Sequence, residues 1–235
     1  MGLNQISSPN RKTLGEVAYK AIRDEIISLR FEPGQMIYEN ELAASLGVSR
    51  TPIREAFLML LKDELIEILP QRGARVAYIS SKKVEEARFV RESLEKSAFR
   101  AVARNWNENE ERYKKLRIET MQLLEDQHKA AAKGESIEFL HLDEAFHHLI
   151  LEQIENHTLL SVISQMRGHL NRMRYLELKE AHEMTKLIEQ HTSIFHSITS
   201  NDEQKTEMLL SHHLQQLKDE LPRIIQKYSH YFSAQ

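Results

Sequence analysis

From Leu14 onward, apolar residues return every three or four positions, at Leu14, Val17, Ala21, Ile22, Ile26 and Leu29, the period of an amphipathic helix. The breaker Glu32-Pro33-Gly34-Gln35 ends it. The run NELAASLG at 40–47 predicts a short second helix, with Leu42 and Leu46 four apart and Gly47 placed to turn left-handed at its end. Ser49 is positioned to cap a third helix, Arg50 to about Asp63, with Ile53, Phe57, Leu60 and Leu61 as its inward face. Two runs rich in Ile and Val, LIEIL and ARVAYI, follow; they are joined by PQRG, where Gly73 supplies the positive φ of a tight hairpin turn. This hairpin is the only stretch that reads as β. From about Lys82 the period is helical to the end, with loops near NWNENEE, AAKGES, ENHT and TSNDEQ. The boundary falls near Ser80 and Ser81, dividing residues 11–79 from residues 82–232.

Three short helices and a two-stranded hairpin form the pattern of a winged helix-turn-helix, so the expected fold is mainly α: that head, then an all-α helical bundle. The third helix is then the recognition helix. Its N-terminal residues Ser49, Arg50, Thr51 and Arg54 face base edges in the major groove, while Ile53 and Phe57 anchor the opposite side. Arginine suits this place because its planar fork bonds O6 and N7 of one guanine, or a phosphate through two donors. Arg72 and Arg75 flank the wing turn, within reach of an adjacent groove or the backbone. Net charge lends no support, since residues 11–78 carry ten Lys or Arg against ten Asp or Glu. The basic groups are focused rather than abundant, which favours a modest salt dependence.

Composition narrows the picture. With 235 residues, 41% hydrophobic and 29% charged, but seven glycines and five prolines, the chain suits two domains of long helices. With no cysteine, any transition metal must be held by histidines and carboxylates. No apolar run approaches the ~20 residues of a membrane span, and the polar start MGLNQISSPNRKT lacks a signal-peptide core. A cytoplasmic protein without a membrane partner is expected. The opening Met-Gly reads as a plain start rather than an acylation signal.

Twelve histidines are many for this length, and helical phase sorts them. Asp143, His147, Ile150 and Ile154 share one face, whereas His148 sides with Glu144, Glu152 and Glu155, a solvated set. His191 joins the line Leu187, Ile194, Ile198, and His213 stands between Leu210 and Leu217; His196 and His212 point away. Three helices thus each turn one histidine inward, and one adds an aspartate. Unpartnered burial of four such groups is costly, so they bond one another or share a ligand. Three imidazoles and a carboxylate suit Zn²⁺, Ni²⁺ or Mn²⁺ with positions left open.

The run PGQMIYENELAASLGVSRTPIREAFLMLLKDELI, followed by RGARV, resembles the DNA-binding domain of GntR-family bacterial transcription regulators over about seventy residues. The resemblance places Arg50, Arg54 and Gly73 on DNA-contacting positions. Two departures stand out: Asn40 where some members have arginine, and Glu64 where a glycine usually follows the third helix. The first removes one possible base contact. The second puts a side chain in a left-handed position at a cost of ~1 kcal/mol. VRESLEKSAFRAVA and DEAFHHLI resemble the FCD effector domain of the FadR subgroup. That likeness implies a divalent metal on Asp143, His147, His191 and His213, the four that helical phase selects. It also implies that Arg91, in an R-x-x-x-E pattern with Glu95, faces an effector pocket, the competing reading being a plain surface salt bridge four residues apart, with Arg172 and Arg174 as weaker candidates.

The expected function is a homodimeric regulator, commonly a repressor, that binds a double-stranded operator and is controlled by a small carboxylate at the metal. Two alternatives remain: a metal-dependent hydrolase with an incidental helix-turn-helix, for which no H-E-x-x-H or other base is evident, and a DNA-binding dimer whose histidines bond one another without ligand.

Overall fold

A computed structural model describes residues 13–70, 72–181 and 184–233, the side chains of 180 and 181 excepted. The polar N-terminal start, including the first two residues of the expected head, and Gln71 of the wing turn lie outside it.

The head opens with α1 (Leu14–Ile27), α2 (Glu39–Leu46) and α3 (Arg50–Lys62). Helix α1 starts where it does because Thr13 and Glu16 form a reciprocal capping box. Helix α2 stops at Gly47, whose φ of 66° matches the expected left-handed end. Ser49 occupies the N-cap of α3, but its side chain makes no capping bond. Ile53, Phe57 and Leu60 are buried, each worth about 1.5–3 kcal/mol. Leu61, expected beside them, is 40% exposed, and Leu14, Val17 and Leu46 are also open to solvent. The periodicity is correct, but the apolar stripe is wider than the face that packs.

The wing consists of β2 (Ile66–Leu69) and β3 (Gly73–Val76), antiparallel, with Ile66 opposite Val76 and Leu69 opposite Gly73. Gly73 has φ 93°, and a Cβ there would stand 2.9 Å from the Ile37 carbonyl oxygen, so both conformation and space require glycine. A third strand, β1 (Met36–Ile37), pairs with the outer side of β3. At two residues it is too short to show an alternation in sequence. Glu64, just past α3, has φ 54°, the strained position that its sequence context implied.

The second domain holds α4 (Ser81–Asn105), α5 (Glu111–Lys133), α6 (Ser136–Glu152), α7 (His157–Ala181), α8 (Met184–Thr199) and α9 (Glu203–Lys227), then a 3-10 turn at Ser229–Tyr231. Helix α4 packs between α7 and α9, and α5 against α6 and α8. The chain returns to its own linker, where Ile79 bridges Phe232 in parallel; the β reading missed this contact too.

The two domains share a seam. The head's core runs on into Ala130, Phe139, Leu140 and Leu187 of the bundle. Above it, Arg23 of α1 donates to Glu144 of α6 at 3.1 Å, His141 meets Asp24 at 2.9 Å, and Asn171 of α7 also bonds Glu144. Glu144 is therefore not solvated as its helical phase implied. Phase tells which side faces a helix's own core, not which side another domain covers. Burial works to raise its pKa, but Arg23 and Arg167 outweigh burial and hold it below the usual carboxylate range.

Candidate DNA-binding face and metal centre

Ser49, Arg50, Thr51 and Arg54 are exposed on the first turns of α3, beside the wing. Arg50, Arg54, Arg72 and Gly73 line one groove between α3 and the hairpin. Glu39, at the start of α2, was not singled out in sequence, yet its Oε2 accepts from Arg54 Nε at 2.8 Å and from Arg50 at 3.0 Å. Both arginine forks are thereby held over the same face. Arg75 is engaged across the wing with Glu67 at 2.6 Å.

In the bundle, α6, α8 and α9 bring Asp143, His147, His191 and His213 together, all buried, with one donor atom of each within 4.8 Å of the others. Nε2 of His213 lies 3.2 Å from Nε2 of His147 and 3.3 Å from that of His191, which is itself 3.4 Å from Asp143 Oδ1. The opposite ring nitrogens are also engaged. His147 Nδ1 contacts Glu95 Oε2 at 2.7 Å, His191 Nδ1 bonds Gln127 Oε1 at 3.0 Å, and His213 Nδ1 bonds Gln190 Oε1 at 2.8 Å. Gln127 is turned this way because its amide nitrogen donates to the Leu142 carbonyl at 3.1 Å. Carboxylate and amide oxygens only accept, so in a neutral ring a proton on Nδ1 leaves Nε2 free to turn a lone pair toward the shared centre.

Three imidazoles and a carboxylate facing one point could together hold a cation. Burial pushes the His147 imidazole down to about 4, and burial with the neighbouring imidazoles pushes His213 well below its ordinary value. A proton therefore does not supply the charge on these two groups at neutral pH. The donor set fits a divalent transition metal: nitrogen-rich ligands with oriented outer partners, on rigid helices. Asp143 is held well down, since Arg174 and His191 outweigh the burial that would raise it. Glu95 is held at about 2 by Arg91 and His147 against burial.

Arg91 bonds Glu95 at 2.7 Å, and Arg174 grips both oxygens of Asp143. With Arg88 they border a cavity of about 20 Å³ beside His213, room for about one water. Arg172 is not there. Its fully buried guanidinium donates to the carbonyl of Ala77 in the interdomain linker, its Nε and Nη2 find no partner among the described residues, and burial lowers it to about 10. Arg172 and Arg174 are two apart on a helix and so point in different directions. Glu95 was visible in sequence only as the partner of Arg91. Gln127, Gln190 and Arg88 carried no signal, because their roles depend on which helices become neighbours.

The profile of the bacterial regulatory proteins of the gntR family matches residues 14–76, and that of the FCD domain matches residues 86–216. The chain is 29% identical over 92% of its length, and 92% of the other protein, to the HTH-type transcriptional repressor RspR of Escherichia coli K12. It is 31% identical over 83% of its length, and 85% of the other, to the uncharacterized HTH-type transcriptional regulator YdhC of Bacillus subtilis 168. The solved structure of E. coli McbR/YncC has the same fold, with a TM-score of 0.76 at 21% identity over 93% of this chain and all of that one. These relatives are transcription regulators rather than enzymes. No helix among the described residues is long and apolar enough to cross a membrane.

Proposed function

The chain belongs to the GntR family of bacterial transcription regulators and carries an FCD domain, and from that premise we propose that a divalent metal and a small carboxylate together govern its grip on DNA. The protein acts in the cytoplasm as a homodimer and represses. Each head sets Ser49, Arg50, Thr51 and Arg54 into the major groove of one operator half-site, and Arg72 and Gly73 bring the wing to the adjacent backbone. Asp143, His147, His191 and His213 hold Zn²⁺, Ni²⁺ or Mn²⁺. The metal supplies a Lewis-acidic position for an anionic ligand.

The single observation that carries this reading is the set of Nδ1 contacts that turn three Nε2 lone pairs on one point. Arg91 and Arg174 add the positive charge that selects a carboxylate. Because Arg174 now holds Asp143, an arriving carboxylate competes for its fork, and any movement passes into α7, the helix that meets the head through His169 and Glu64. Arg172 serves the linker instead. Elemental analysis of the purified protein beside the Asp143→Ala variant tests this. The reading expects about one transition metal per chain, lost in the variant. No metal after exposure to Zn²⁺, Ni²⁺ and Mn²⁺ would leave the histidines as a structural network.

A further inference from the structure

The head meets α7 at the far end of its recognition helix. The residue after that end, Glu64, is half exposed, so burial does not hold it in its left-handed conformation. Its carboxylate accepts from two groups outside the head, Lys83 of α4 and His169 Nε2 of α7, the latter at 2.6 Å. The adjacent Asp63 carbonyl is the surface on which Gly168 of α7 rests; a Cβ at 168 would stand 2.5 Å from that oxygen. Leu29, the head's other non-glycine residue with positive φ among those described, packs against a buried cluster that joins Ile79 to residues of α4, α7 and α9. The left-handed Glu64 thus reaches across the seam.

We propose that Glu64 is a positioning residue for DNA binding: it fixes the direction of α3 relative to α7, and so the separation of the paired recognition helices, without touching DNA. At the usual helical rise Glu64 lies about 20 Å along α3 from Arg50 and about 15 Å from Arg54. An L-residue is tolerated there because its side chain has partners in the other domain that glycine would lack. Helix α7 also carries Arg174 to Asp143, so one rigid element holds both the recognition helix and the metal cluster. The inference rests on the dimer reading above.

The test uses the full-length protein, Glu64→Gly and the double variant Lys83→Ala with His169→Ala, which keeps Glu64 but removes its partners. Glycine accepts the left-handed conformation, so the first variant keeps its fold. A random duplex library enriched on the wild type supplies the half-site sequence, and a second library varies the spacing between two such half-sites. The wild type is expected to prefer one spacing by about tenfold, an ordinary size for coupling between sites. In both variants the preference falls to about twofold, with the half-site sequence unchanged. Variants that keep the wild-type spacing preference overturn the role of Glu64 and leave the dimer intact. A changed half-site sequence overturns it as well, since Glu64 then acts at the bases. Enrichment of lone half-sites by the wild type sinks the dimer reading, and this inference with it.

Discussion

Two arginines share one carboxylate oxygen on the face proposed to meet DNA. Arg50 and Arg54 are both more than half exposed while bound to Glu39. Such pairs contribute little to stability, so a guanine edge or a phosphate displaces the carboxylate at small cost. What Glu39 provides is order: it holds both forks over one face, the alignment that the proposed DNA-binding role requires. Arg54→Ala is expected to weaken binding to the selected operator duplex by ~1–3 kcal/mol and to leave the far-ultraviolet circular dichroism unchanged. Fluorescence anisotropy with the labelled duplex measures this, and an unchanged affinity removes Arg54 from the reading set.

At the scale of elements, α7 works by close approach. Its Gly168 lets the helix backbone sit on the end of α3, and Gly168→Ala forces the two apart. The cost is expected to be about 1–3 kcal/mol, the usual penalty for overpacking a tight contact. Calorimetry would show it as a lower unfolding temperature, whereas an unaltered scan would mean that the seam yields freely. This contact was not legible in the sequence, where Gly168 sits in a helical run with nothing to mark its neighbour. The helices themselves were legible, as were the turns at Gly47 and Gly73, because period and turn chemistry are local properties. The four ligand candidates were legible for the same reason: inward phase on three separate helices is a local signal repeated. Strand β1, the partners Gln127 and Gln190, the burial of Glu144 and the true place of Arg172 were not, since each depends on which element comes to lie alongside.

For the molecule as a whole, the buried cluster ties stability to pH. In the metal-free protein, burial lowers His147 from 6.5 to about 4, so the unfolded chain takes up a proton that the folded one refuses. The stability tied to this group is intact above 6.5 and lost as pH falls toward 4. Glu95 works against burial through Arg91 and His147, and its contribution is intact above 4.5 and lost toward 2. Both losses run in one direction. The unfolding temperature of chelator-stripped protein should therefore fall steadily on acidification, with His147 alone contributing on the order of 3 kcal/mol. A flat calorimetric profile from neutral pH down to about 4 would contradict the burial of a neutral imidazole.

The bridge between Ile79 and Phe232 has a consequence for how such proteins are assembled from parts. The backbone of Ile79 donates to Tyr231 at 2.9 Å and accepts from Ser233 at 3.0 Å, so the bundle is entered and left at one spot. A domain whose two ends meet behaves as a cassette, able to be spliced behind a different head, or opened elsewhere and rejoined, without unravelling its interior. Here the joint is also where Arg172 holds Ala77. A graft that keeps the bundle but loses this arginine would carry the buried His-Asp cluster intact while giving up the contact that ties α7 to the linker.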